Sequence, residues 1–134
     1  MELAPLKTDK TAKLKGRPFA FGDGQLIIAA SGNVEHRKAL RRLYEPHAKV
    51  LAAGGQPEPE AVIAVDDEAM AEAILVGWEN ITVNGEALPY SKANALMLLR
   101  DYDAVREVVM KACESSAQFT VAAVEAATAV LKKS

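Results

Sequence analysis

The sequence holds a single cysteine, Cys113, so no disulfide forms within the chain. Aromatic residues make up only 5%, with one tryptophan, Trp78, and the two histidines are His36 and His47. The longest apolar run, around Ala73 to Trp78, falls far short of the roughly 20 residues that a membrane-spanning helix needs. No apolar stretch follows the first basic residues, so no secretory signal is expected and a cytoplasmic chain is the natural reading. These absences exclude a disulfide-stapled secreted domain and a helical membrane protein. Neither sign of charge dominates, since 16 Lys and Arg stand against 18 Asp and Glu for a net of −2.

What is present suits one domain. The chain has 134 residues, half of them apolar and a quarter charged. A chain of this size buries roughly two-thirds of its unfolded surface and needs no metal or disulfide to hold a core. The charge is unevenly spread. Residues 1–49 carry ten Lys and Arg and five acids, a net of +5, whereas residues 50–134 carry six bases and thirteen acids, a net of −7. Such asymmetry points to an acidic partner for the basic part, or to steering between copies of the chain.

The pattern predicts an α+β fold, mainly α with a small N-terminal β-hairpin. About four helices surround one core, the last of them long. Residues 1–16 are polar, with Pro5 and Gly16, and read as a flexible arm ahead of a single domain over 17–134. A hairpin over 17–29 is expected, because Arg17 to Phe21 and Gln25 to Ala29 flank the turn Gly22-Asp23-Gly24. Its apolar face, Phe19 and Phe21 with Leu26 and Ile28, requires cover. Asn33 then caps a basic helix over about 34–51 with the stripe His36, Leu40, Leu43, Tyr44 and His47. Pro46 stops or kinks it. The run Ala53 to Pro59 is a linker, and Ala61 to Val65 fits a helical turn or a buried strand equally.

Asp66-Asp67-Glu68 reads as the capped start of a helix over 67–78 that carries Met70, Ala73, Ile74, Gly77 and Trp78. Asn84-Gly85 marks a turn, and Ser91 caps a helix over 92–100 with Ala95, Leu96 and Leu99 inward. A last helix over 103–131, capped by Asp101 or Asp103, weakens at Ser115-Ser116. Its stripe runs through Val105, Val109, Cys113, Phe119, Ala123, Ala126, Val130 and Leu131. This Ala- and Val-rich end lacks the bulk to form its own core and suits packing on another helix or subunit. Candidate contact surface is therefore Leu40, Leu43 and Tyr44, together with Phe119, Ala123, Ala126 and Val130.

No catalytic constellation emerges, and no catalytic residue, metal ligand or cofactor site is assigned. His36 and His47 lie eleven residues apart, too far along a helix to share a metal. Cys113 on an apolar face reads as a buried, inert thiol. The glycine pairs lack the strand, loop and Lys-Ser/Thr of a phosphate loop, and Ser115-Ser116 has no glycine elbow. The basic stretch 36–49 raises nucleic-acid binding. Glu35, Glu45, the scarce aromatics and a pI of 5.7 weigh against it.

One stretch goes beyond pattern. Leu75-Val76-Gly77-Trp78-Glu79-Asn80-Ile81, Val83-Asn84-Gly85-Glu86-Ala87-Leu88-Pro89-Tyr90-Ser91, Asn94 and Leu98-Leu99 occur in order. They resemble the central motif of the tail assembly chaperones of long-tailed, siphovirus-type bacteriophages. The ribbon Phe21 to Ile28 and the segment Asn33 to Leu43 are similar to the N-terminal part of those proteins, so the resemblance spans residues 17–112. On physical grounds Gly77, Trp78, Gly85, Pro89, Tyr90 and Ser91 form a folding signature of turn, anchor and cap.

The resemblance implies a non-catalytic protein without cofactors that binds the tape-measure protein and keeps it soluble while tail-tube subunits polymerise. It implies self-association, a place in the host cytoplasm, absence from the mature virion, and no membrane partner. Contact with the tail-tube protein is implied only for a frameshifted, longer form. This sequence fits the shorter one, and Lys132-Lys133 is compatible with a slippery codon pair. A structural tail subunit of terminator or connector type is the alternative, with a small DNA-binding regulatory module behind it.

Overall fold

The order of elements follows from where the chain can hide its apolar residues, and it departs from the sequence expectation at four places. The computed structural model describes residues 1–133, and side chains as far as Val130. Leu131, placed on the last apolar stripe by the sequence, lies beyond those side chains, as do Lys132 and Lys133.

The hairpin forms from β1 (Arg17–Phe21) and β2 (Gly24–Ile28), with Phe19 opposite Leu26. A third strand, β3 (Leu75–Glu79), pairs antiparallel with β2, and the sheet runs β1-β2-β3. Leu26 and Ile28 in the central strand are fully buried. A two-stranded ribbon is marginal alone, and the third strand supplies the missing ladder.

Gly77 and Trp78, expected at the end of a helix, thus lie in a strand. The preceding helix α4 (Pro59–Ala73) begins eight residues earlier than the expected 67 and stops at Ala73. Pro59 at its first turn has a preset φ and no N–H to satisfy, so the residue read as a breaker starts the helix. Beyond Ala73 the run Ile74-Leu75-Val76-Gly77-Trp78 is rich in strand formers, and Gly77 disfavours continuing the helix.

Asp66, Asp67 and Glu68 therefore sit in mid-helix rather than at its cap, where they bind neighbours. Tyr44 Oη donates to Asp66 Oδ1 at 3.3 Å. Asp67 faces Arg106, and Lys92 Nζ lies 3.1 Å from Glu68 Oε1.

Helix α2 (Val34–Tyr44) is capped by Asn33, whose side chain accepts from the His36 N–H. At Pro46 it passes into a 3-10 turn over Glu45–His47, followed by the short α3 (Ala48–Ala52). The proline thus kinks the expected 34–51 helix. Ser91 caps α5 (Lys92–Asp101), which matches the expected helix within a residue. Helices α2, α4, α5 and then α6 (Asp103–Glu114) pack in succession. Glu72 of α4 binds Arg42 of α2 and Lys92 of α5, the latter at 2.9 Å. Burial raises the Glu72 carboxyl, but hydrogen bonds and charge from Lys92 and Arg42 outweigh it and hold the group below the usual carboxylate range.

The helix expected over 103–131 is two helices. A 3-10 turn, Ser116–Phe119, separates α6 from α7 (Val121–Lys133), and Thr120 caps α7 by accepting from the Ala123 N–H. The break is held by the residues expected to be a flexible arm. Thr8 forms a bridge with Thr120, the Asp9 N–H donates to Phe119 O at 2.7 Å, and the Val121 N–H donates to Lys7 O at 2.8 Å. Arg17 Nη1 donates to Gln118 Oε1 at 2.7 Å.

Residues 10–15 form helix α1 (Lys10–Lys15), capped by Asp9, with Ala12 buried against Ala30 and Phe119. Its lysines hid this from the sequence, because a single buried alanine is too little for a periodic signal. Asn84 and Gly85, with φ of 53° and 82°, form the turn joining β4 (Thr82–Val83) to β5 (Glu86–Ala87). Positive φ at both central residues is what this hairpin turn demands.

Candidate partner-binding groove

Of the six motif residues, Trp78, Pro89, Tyr90 and Ser91 are joined in one network beside Gly77, while Gly85 stands apart in the β4–β5 turn. Trp78 Nε1 donates to Leu88 O at 2.7 Å, and its ring meets Tyr90 edge-on at 5.0 Å. Tyr90 Oη donates to Leu75 O at 3.4 Å, and burial pushes its phenol up. Asn94, bonded to Ser91 Oγ through its N–H, donates from Nδ2 to Pro89 O at 2.8 Å. Gly77 faces Ile27, where a Cβ would sit 3.3 Å from Ile27 Cγ1. These contacts fasten β3 to the segment that leads into α5.

An open groove lies elsewhere, between α2, α4 and α6. Its cavity is about 240 Å³, with Met70, Ile74 and Cys113 in the floor and Leu40 and Met110 in the walls. Ser31, His36, Asp66 and Glu114 make its polar rim. Three separate helices meet here, so only tertiary packing assembles it. A methionine in the floor and one in the wall make it adaptable, since an unbranched thioether reshapes around whatever enters.

Of the residues expected on a contact surface, Leu40 lines this groove, and Leu43 and Tyr44 are half-buried further along α2. Phe119 is corrected: at 1% exposure it belongs to the core, packed on Ala12, Ala30, Phe19 and Val124. Its large ring is the anchor on which the α6–α7 turn closes. Ala123 is half-buried, whereas Ala126 and Val130 are exposed on α7, Val130 at 68%. Sequence reasoning missed Met70 and Met110 as surface-lining residues. Met70 is marked as inward by its helical stripe and Met110 falls off the stripe of its own helix, and nothing in one helix tells a packed wall from an open one.

The titratable groups at the groove are poorly placed for chemistry. Burial pushes the Cys113 thiol up to about 11, with Glu114 adding to it, so the thiolate is scarce at neutral pH. His36 Nδ1 accepts from the Gly32 N–H at 3.0 Å, which requires the neutral ring. Burial lowers the His36 pKa below its ordinary 6.5, and Asp66 opposes this. Among the described residues no three His, Cys, Asp or Glu side chains converge as a metal site, and no described helix is long and apolar enough to cross a membrane.

The His36 bond gives a pH dependence with a definite sign. Below pH 6.5 the unfolded imidazole takes up a proton before the folded one does. Folding stability therefore declines as pH falls from 6.5 through the lowered folded value, and flattens below it. Denaturant titrations across that range are expected to show the decline in the wild type, and to show it removed in His36→Gln.

Comparison with a family described as YdaY prophage protein gave a match over residues 31–132. The matched region takes in the groove, the motif residues and α7. Comparison with curated proteins and with solved structures gave no match.

Proposed function

The chain belongs to the YdaY prophage protein family, and from that premise we propose that it is a non-catalytic tail assembly chaperone. It binds the tape-measure protein and keeps that long, helical, apolar client soluble while the tail tube forms around it. The observation that carries this reading is the groove between α2, α4 and α6. It is apolar, flanked by charge, and walled by Leu40 and Met110, which suits the apolar stripe of a client helix. The exposed face of α7, with Ala126 and Val130, offers a second strip of the same character. The resemblance over 17–112 points the same way.

In this reading the protein breaks no bond and takes no cofactor. Several copies coat one client through weak, repeated contacts, in the host cytoplasm and not in the finished virion. Recruitment of the tail-tube protein belongs to a longer, frameshifted product, which a slippery codon pair at Lys132-Lys133 would produce.

The test is co-expression with the tape-measure protein encoded by the same prophage. Soluble tape-measure protein that co-purifies with the chain is the expected result. Tape-measure protein that stays insoluble, or the chain found as a component of purified virions, overturns the proposal; the second outcome is that of a structural tail subunit. Met110→Glu places a charge in the groove wall and is expected to weaken client capture at least about tenfold, the scale of an interface hot spot. Val130→Ser, at the exposed end of α7, is expected to weaken it less. Pull-down titration of the two variants measures the difference.

A further inference from the structure

Folding does not cancel the charge asymmetry of the sequence. Among the described residues the ion-paired cations are Lys38, Arg42, Lys92, Arg100 and Arg106, and the last four bind acids of α4. Lys10, Lys13 and Arg37 have no carboxylate within ion-pair distance among the described residues. Those three line one open cleft of about 300 Å³ between α1 and the start of α2, together with Leu14 and Val34. Val34 is a large apolar residue left 51% exposed at this cleft. A basic, partly apolar concavity therefore remains, its three cations unpaired among the described residues.

An exposed group of opposite charge is on the same molecule. At the corner between α5 and α6 stands Asp101-Tyr102-Asp103, all three exposed, Tyr102 at 41%. Neither aspartate is in an ion pair among the described residues. An aromatic ring flanked by two carboxylates matches a cleft in which apolar side chains are flanked by three cations. Tyrosine is well fitted to such a place, with an apolar body and a polar tip.

We propose that successive copies of this chain dock head to tail, the Asp101-Tyr102-Asp103 corner of one entering the Lys10, Lys13 and Arg37 cleft of the next. The inference rests on the multi-copy reading above and names the surface through which copies meet. Two different patches of one chain make a heterologous contact, which repeats from copy to copy and propagates along a client. Opposite charges set the register and speed the encounter, so the contact is sensitive to salt.

The test is sedimentation velocity of the purified full chain. Wild-type association is expected to weaken at least about tenfold between about 0.01 M and about 1 M salt, as the Debye length contracts from about 30 Å to about 3 Å. One variant carries Lys10→Glu, Lys13→Glu and Arg37→Glu; another carries Asp101→Lys and Asp103→Lys. Each alone is expected to be monomeric, and the two mixed to associate, because every cleft then meets a corner of opposite charge. Tyr102→Ala, which leaves the charges in place, is expected to weaken wild-type association. Thermal melts establish that every variant is folded.

A wild type that is monomeric at low salt overturns the proposal, as does a mixture that stays monomeric while the wild type associates. Both charge-reversed chains keep the α2, α4 and α6 groove intact. If the wild type is monomeric at low salt yet still solubilises the tape-measure protein, client binding stands while the docking surface falls; if the wild type itself fails to solubilise it, the chaperone reading falls separately.

Discussion

Phe119→Ala is expected to destabilise the protein by about 3 to 5 kcal/mol, the range for truncating a buried phenylalanine. The ring is 1% exposed, its centroid lies 6.1 Å from that of Phe19, and it packs on Ala12, Ala30 and Val124. The loss is not confined to a cavity. The backbone of this segment also holds the N-terminal residues, through Asp9 N–H to Phe119 O and Val121 N–H to Lys7 O. Chemical denaturation gives the global figure. Hydrogen exchange is expected to show protection lost first at residues 7–12 and 117–124. Val130→Ser, at 68% exposure, is expected to change stability by less than about 0.5 kcal/mol. A Phe119→Ala protein as stable as the wild type would return this residue to the surface, where its sequence stripe first placed it.

Asp67→Asn is expected to cost about 2 to 3 kcal/mol, below the full cost of unpairing a buried charge because the two guanidiniums involved are partly solvated. Among the described residues Asp67 is the charged residue held most deeply, its side chain 5% exposed, with Arg106 Nη1 at 2.8 Å and Arg100 Nε at 3.7 Å. The contact rests on charge and proximity, since no donor reaches Asp67 Oδ1 in hydrogen-bond geometry among the described residues. The single acid draws α5 and α6 onto α4, and its removal leaves both cations without their counter-charge. The double variant Asp67→Asn with Arg106→Leu is expected to recover part of the loss, as it no longer leaves Arg106 unpaired. Denaturation of the two singles and the double measures the coupling, and additive losses would contradict the role given to the pair.

The sequence disclosed the parts of this fold that local chemistry decides. Asn33 and Ser91 cap where their side chains can accept a backbone N–H. Asn84-Gly85 turns where positive φ is needed, and Pro46 kinks a helix that cannot bond through it. The misread parts are those where a distant partner decides. Leu75 to Glu79 forms a strand because β2 offers an unpaired edge some fifty residues earlier in the chain. Asp67 looks like a cap until Arg106 is brought beside it. Lys10 to Lys15 looks like a solvated arm until Phe119 and Ala30 cover Ala12.

The candidate groove was legible only in part, for the same reason. Leu40 stood out on an amphipathic helix, whereas Met70 read as an ordinary core position and Met110 lay outside the stripe assigned to its helix. Whether such a position meets another side chain or an opening depends on how three helices converge. The basic cleft was foreshadowed by the charge of residues 1–49, but its location waited on α1, which the sequence did not reveal.

The central claim is adhesion to a helical client at the α2, α4 and α6 groove. Its most direct measurement is hydrogen exchange of the full chain with and without the tape-measure protein of its own prophage. The account predicts new protection around Leu40 in α2 and Met110 in α6, with the Trp78 to Ser91 segment unchanged. A stable complex that leaves the exchange of those two helix segments unaltered would contradict it.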